Sequence, residues 1–209
     1  MQQKIALSGG IGSGKTTVRK MLEALGASTI CADEIVHELQ APGMPLLEEI
    51  AQAFGPEVLR EDGSLDRVAL GERVFSDPEA RAELGRIMHP PVISEMMRRT
   101  EQALQGVSPL VVLDIPLFFE GKKSGTGSAA ATDYDASVLV WVPEGIQIER
   151  VRARDQCSIE EARRRVAAQM PIDEKRKLAS HTIDNSGERD ETLSQVEALW
   201  QLLVARGGS

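Results

Sequence analysis

Residues 8–17 read SGGIGSGKTT, four glycines in ten positions followed by a lysine and two threonines. Gly9, Gly14, Lys15 and Thr16 fit G-x-x-x-x-G-K-[ST], the spacing of a phosphate-binding loop. In such a loop several backbone N–H groups turn inward around phosphate oxygens, through torsions that a Cβ would obstruct. Lys15 has the reach for terminal phosphates, and the Thr16 hydroxyl is a candidate Mg²⁺ ligand. Asp33, just past the second apolar segment, is a candidate general base that takes a proton from an attacking hydroxyl; on placement alone it serves equally well as a helix cap for ADEIVHEL. Asp114 closes LVVLD, where an acidic residue linked to Mg²⁺ often lies; the alternative is an Asp that merely ends the strand before Pro116. Arg150 and Arg154, spaced i, i+4, share one helix face and are candidates for neutralising charge on a transferring phosphoryl group. Arg163–Arg165 read as a solvated, salt-bridged face. Asn185 is a candidate adenine contact or, equally, a turn asparagine before Ser186-Gly187. His37 and His181 read as structural, and on residue type alone so does His89.

These groups need a scaffold that brings distant segments together. Five short apolar runs, at 4–8, 28–31, 110–115, 137–142 and 181–184, predict strands. The longer ones are continuously apolar, as strands covered on both faces are. Helical periodicity lies between them: Val18, Met21, Leu22 and Leu25 in the first gap, Val196, Leu199, Trp200 and Leu203 near the end. Strands alternating with helices predict an α/β fold with a parallel sheet, and ligands of such sheets collect beyond the carboxyl ends of the strands. Residues 36–106 are too long for one crossover and predict a helical insertion. The stretch 122–133 has the small-residue composition of a loop, and Ser158 with Glu161 form a capping-box pattern.

Composition narrows the chemistry further. The 209 residues carry a net charge of −8, which disfavours nucleic acid and anionic membrane as partners. Neither a membrane span nor a signal peptide is expected, and the chain is predicted to be cytoplasmic. Cys31 and Cys157 lie in no metal-binding spacing and are expected to be reduced. A GTPase switch would carry N-K-x-D, which is absent.

Taken together the segments resemble the dephospho-coenzyme A kinase family over roughly residues 4–200. The resemblance is carried by SGGIGSGKTTV, ADEIVHEL, the run from FGPEVL to MHPPV, LDIPLFFE, QIERVRARD, AAQMPIDEKRKLA and IDNSG. The run ending in HPP, joined to DIPLFFE, is more specific than the phosphate loop. The resemblance implies a three-layer P-loop fold like that of nucleoside monophosphate kinases, one domain over 1–209 with a five-stranded parallel sheet. Residues 36–106 would be its helical acceptor-binding region and about 144–178 its lid. It implies phosphorylation of the ribose 3′-hydroxyl of dephospho-coenzyme A by ATP with Mg²⁺. Carried over, Gly10, Ile11, Gly12, Ser13, Gly14, Lys15, Thr16, Thr17 and Asn185 would bind ATP. Asp33, Lys15 and Arg150 would be catalytic, Asp33 and His89 would meet the acceptor, and Thr16 and Asp114 would serve the metal, Asp114 through water. Departures are Cys31 where family members often have Asp, Ser180 where an acid is common, and a longer 122–133 loop. The rival readings are a kinase of another small metabolite and a nucleotide-binding ATPase or switch.

Overall fold

The computed structural model describes residues 2–75 and 77–207. It begins with β1 (Gln3–Gly9), α1 (Lys15–Ala24) and β2 (Ser28–Cys31), followed by the helices α2 (Ala32–Leu39), α3 (Pro45–Phe54), α4 (Arg67–Phe75) and α5 (Pro78–Leu104). Then come β3 (Leu110–Asp114), α6 (Phe118–Ser124), α7 (Gly127–Ala131), β4 (Ala136–Trp141), α8 (Glu144–Asp155), α9 (Ile159–Ala167), α10 (Ile172–Leu178), β5 (His181–Asp184) and α11 (Arg189–Gly207). All strand pairs are parallel, in the order β2-β3-β1-β4-β5. The sheet therefore switches direction at β1: the chain leaves it toward β2 on one side and later returns to β4 on the other. That places the loop after β1 at the carboxyl-end crevice where open α/β sheets bind ligands.

Both sheet faces are covered, which is why the strands read as unbroken apolar runs. Ile5, Leu7, Leu110, Val112, Val138 and Val140 pack with Val18, Met21 and Leu22 of α1 and with Val196, Leu199 and Leu203 of α11. The alternate positions Ala6, Val111, Leu113 and Leu139 are buried as well, on the face where α6 lies against β1 and α10 against β4. In register, Leu7 stands opposite Asp114 on β3 and Val138 on β4. β3 thus ends opposite Leu7, two residues before β1 ends at Gly9, so the segments that leave the two strands start close together.

The chain divides into two compact units, one built on the sheet and the other formed by Ala32–Arg98. The second unit has its own core of Leu46, Leu47, Ile50, Phe54, Val58, Leu65 and Leu70. It contains a short antiparallel bridge from Leu59 to Leu65 around Gly63. Pro90 and Pro91 lie inside α5. Neither nitrogen can donate, so the carbonyls of Arg86 and Ile87 lose their ordinary helical partners.

The stretch 122–133, expected as loop, holds the end of α6 and all of α7. Its small residues have a packing reason. A Cβ on Gly121 would lie 2.9 Å from Ala129 Cβ, so α6 and α7 touch at a distance that larger side chains would prevent. Phe118 and Tyr134 stack edge to face at 5.2 Å and close the same corner. Cys31 and Cys157 form no disulfide among the described residues. No helix among the described residues is long and apolar enough to cross a membrane.

Candidate active site

The turn from β1 into α1 is shaped by glycine. Gly12 and Gly14 have φ of 75° and 83°, the left-handed region that costs other residues free energy. Gly14 is the residue before α1, and α1 begins with no side-chain cap and no acid in its first turn. Its leading N–H groups are therefore left for something else, with the positive end of the helix dipole behind them. The N–H of Ser13 closes a tight turn onto Gly10 O at 3.0 Å. Those of Gly12, Gly14, Lys15 and Thr16 have no protein acceptor among the described residues. This is a helix amino terminus made ready for an anion.

The loop's other polar groups are held by side chains from distant segments. The Ile11 carbonyl accepts from Gln147 Nε2 at 2.8 Å, and the Ile11 N–H donates to Gln169 Oε1 at 2.9 Å. The Ser13 carbonyl accepts from Asn185 Nδ2 at 2.7 Å and, at the long limit of 3.5 Å, from Arg150 Nη1. Arg150 Nη2 also donates to the Asn185 carbonyl at 3.0 Å. Asn185 Oδ1 accepts from Thr192 at 3.0 Å. Asn185 is only 9% exposed, and its amide is committed to Ser13 and Thr192, so it stands as a strut of the loop.

Lys15, first residue of α1, is ion-paired and hydrogen-bonded to Asp114 Oδ1. Asp114, the last residue of β3, is 1% exposed and has Arg19 Nε 3.6 Å from its other oxygen. A buried carboxylate needs such cations. Lys15 supplies one from the very residue whose ammonium the loop motif assigns to phosphate. The Thr16 hydroxyl is exposed and has no protein partner among the described residues. No cluster of three or more His, Cys, Asp or Glu that could hold a metal occurs among those residues. Mg²⁺ in phosphoryl-transfer sites takes most of its ligands from phosphates and water, with one or two protein oxygens. A free Thr16 hydroxyl and the Asp114 carboxylate are hard oxygen donors of that kind, so the residues fit the ion.

Arg154 turns away from the loop. It is bonded to Asp155 at 2.6 Å, and Asp155 also pairs with Arg165 at 2.6 Å. Arg165 and Arg164 both pair with Glu161. These contacts hold the Asp155 and Glu161 carboxyls below their ordinary range, Asp155 chiefly through Arg154 and Glu161 chiefly through Arg165. Of the arginine pair spaced i, i+4, Arg150 alone reaches the loop. Ser158 caps α9 by accepting from Glu161 N at 3.1 Å.

Asp33 and His89 belong to the second unit. Asp33 is exposed and is the second residue of α2, reached two positions after β2 ends. It lies inside the first turn rather than at the cap, and its carboxylate has no protein partner among the described residues. His89 is exposed on α5, its ring over Gly85, where a Cβ would lie 3.4 Å from His89 Cε1. Gln147, Gln169 and Arg19 are the site residues that motif reading passed over. Their only signal is polar residue type, on helices for Gln147 and Arg19 and just past the end of α9 for Gln169.

The family model of dephospho-CoA kinase matches residues 3–191. A dephospho-CoA kinase of Symbiobacterium thermophilum is 48% identical over 204 residues, covering 98% of this chain and 82% of that protein. Among solved structures, TT1252 from Thermus thermophilus is 35% identical with a TM-score of 0.80, covering 98% of this chain and 97% of the other. The dephospho-CoA kinase from Campylobacter jejuni is 26% identical with a TM-score of 0.69, covering 98% of each chain.

Proposed function

Because this chain belongs to the dephospho-CoA kinase family, we propose that it transfers the terminal phosphoryl group of ATP to the ribose 3′-hydroxyl of dephospho-CoA, giving CoA and ADP. The observation that carries the reading is the end-to-end family match, joined to an uncapped α1 whose leading N–H groups and Lys15 suit a triphosphate.

The mechanism follows from what each side chain is free to do. Phosphate oxygens take the N–H groups of Gly12, Gly14, Lys15 and Thr16, and the Lys15 ammonium moves from Asp114 to the terminal phosphates. Thr16 directly, and Asp114 through water, would hold the metal. Mg²⁺, when bound with ATP, neutralises phosphate charge and orients the transferring group. Arg150, fastened to the loop at Ser13 and Asn185, adds fixed positive charge beside the phosphates. Asp33, with an uncommitted carboxylate, accepts the 3′-hydroxyl proton as the oxygen attacks phosphorus. His89 contacts the acceptor. The arm of α8 and α9 acts as a lid that keeps water from competing as acceptor.

The test is direct. Incubation with ATP, Mg²⁺ and dephospho-CoA should give a product one phosphoryl group heavier by mass spectrometry, with ADP in equal amount. ADP release with another acceptor, and none with dephospho-CoA, would overturn the assignment.

A further inference from the structure

We propose that Gln147 and Gln169 are positioning residues that clamp the two peptides flanking the Ile11 Cα and so set the phosphate loop for ATP. The proposal rests on the kinase reading for its ligand. Ile11 offers one acceptor and one donor, and each is met by a glutamine, at 2.8 Å from Gln147 and 2.9 Å from Gln169. The peptide dictates how each amide faces. A carbonyl only accepts, so Gln147 presents its NH₂; an amide N–H only donates, so Gln169 presents its oxygen.

Close packing shows that the contact with Gln147 is built into the loop. Gln147 is 2% exposed, and a buried amide without partners is costly. A Cβ on Gly10 would lie 2.1 Å from Gln147 Nε2, and one on Gly12 would lie 2.7 Å from the Gln147 carbonyl oxygen. Gly10 is not among the residues of positive φ. It is bare because the glutamine occupies the space its side chain would need.

Gln169 is fixed just as firmly. The next residue, Met170, donates its N–H to Glu120 Oε1 at 3.0 Å. The same oxygen lies 2.7 Å from the ammonium of the fully buried Lys175. Gln147 sits in the first turn of α8, and Gln169 lies just past Ala168, the residue that caps α9. The two roots of the α8–α9 arm therefore hold adjacent peptides of the loop. The N–H of the 10–11 peptide and the carbonyl of the 11–12 peptide are each engaged, so neither peptide flips without losing a hydrogen bond, and the N–H groups of Gly12, Gly14, Lys15 and Thr16 stay in place for phosphate.

The experiment reads ATP affinity of the full chain by titration calorimetry, with melting temperature as the control. Gln147→Leu and Gln169→Leu should each weaken ATP binding about tenfold, the scale of one lost hydrogen bond. Replacement by glutamate then tests polarity. Q147E and Q169E add the same charge beside adjacent peptides, but only Gln169 can be replaced by a pure acceptor. Q147E should bind ATP at least about tenfold more weakly than Q169E. Equal affinities in the two glutamate variants, or leucine variants that melt lower yet bind ATP within twofold of the parent, would overturn the clamp. Should Gln147 variants fail to fold, Q169L against Q169E decides: Q169E must recover affinity lost in Q169L. ATP binding is read without acceptor, so a chain that binds ATP but leaves dephospho-CoA unchanged defeats the functional reading alone.

Discussion

Lys15 has one partner in the structure and another in the proposed mechanism, where its ammonium moves to the terminal phosphates. In the structure that ammonium compensates the buried Asp114 carboxylate. Lys15→Ala should therefore lower kcat/KM for ATP by at least about 100-fold, measured by ADP release. Asp33 carries the opposite expectation, since its side chain is exposed and bonded to nothing in the protein among the described residues. Asp33→Asn should cut kcat about 100- to 10,000-fold while ATP affinity by calorimetry stays within twofold. Unchanged turnover would remove Asp33 from the mechanism. The arginines of α8 separate by geometry. Arg150→Ala, which breaks the contacts to Ser13 and Asn185, should raise KM for ATP about tenfold. Arg154→Ala, which loses an exposed pair with Asp155, should leave it within twofold.

Among the elements, the α8–α9 arm joins a rigid root to an ion-paired tip. At the root Gln147 and Arg150 meet the phosphate loop; at the tip Asp155, Glu161, Arg154 and Arg165 bind one another near the surface. The folded arm lowers the affinity of Asp155 and Glu161 for protons. The unfolded chain thus binds protons first as pH falls, so the pairs stabilise the arm above the ordinary carboxylate range of about 4. That stabilisation is lost as pH drops through the lowered native values. Amides of α8 and α9 should lose hydrogen-exchange protection between about pH 5 and 3, ahead of those of α1. Loss in step with α1 would mean that the tip pairs carry no local stability. The helices α6 and α7 show why this part of the chain was hard to read from sequence. Gly, Ser and Ala have loop-like composition, and here they form helices because small side chains are what the Gly121–Ala129 contact admits.

At the scale of the whole molecule, Lys175 ties the segment after α9 to α6. It is fully buried, and its ammonium sits 2.7 Å from Glu120 at an angle that does not complete a hydrogen bond. Removing one partner of a buried pair strands the other. Lys175→Ala should cost about 3 kcal/mol of unfolding free energy, measured by urea denaturation, and Glu120→Gln in the same chain should recover part of it. No loss on Lys175→Ala would show that Glu120 is adequately solvated alone. Nothing in AAQMPIDEKRKLA marks Lys175 apart from Lys177, since burial of a lysine is decided by the helix face that docks.

The sequence by itself determined the sheet and the donor loop of this protein. Continuous apolar runs are what doubly covered strands require, and G-x-x-x-x-G-K-[ST] encodes backbone shape locally, through left-handed torsions at Gly12 and Gly14. It also marked Asp114 at its strand end and Arg150 on its helix face. Tertiary structure alone decided what those residues touch. The pairing of Lys15 with Asp114 depends on the parallel pairing that sets Asp114 opposite Leu7, and the bracing of Ile11 and Ser13 by Gln147, Gln169 and Asn185 spans separations of 136, 158 and 172 residues. Local propensity acts over a few residues. A hydrogen bond between groups that far apart exists only once the sheet has brought their elements to one end.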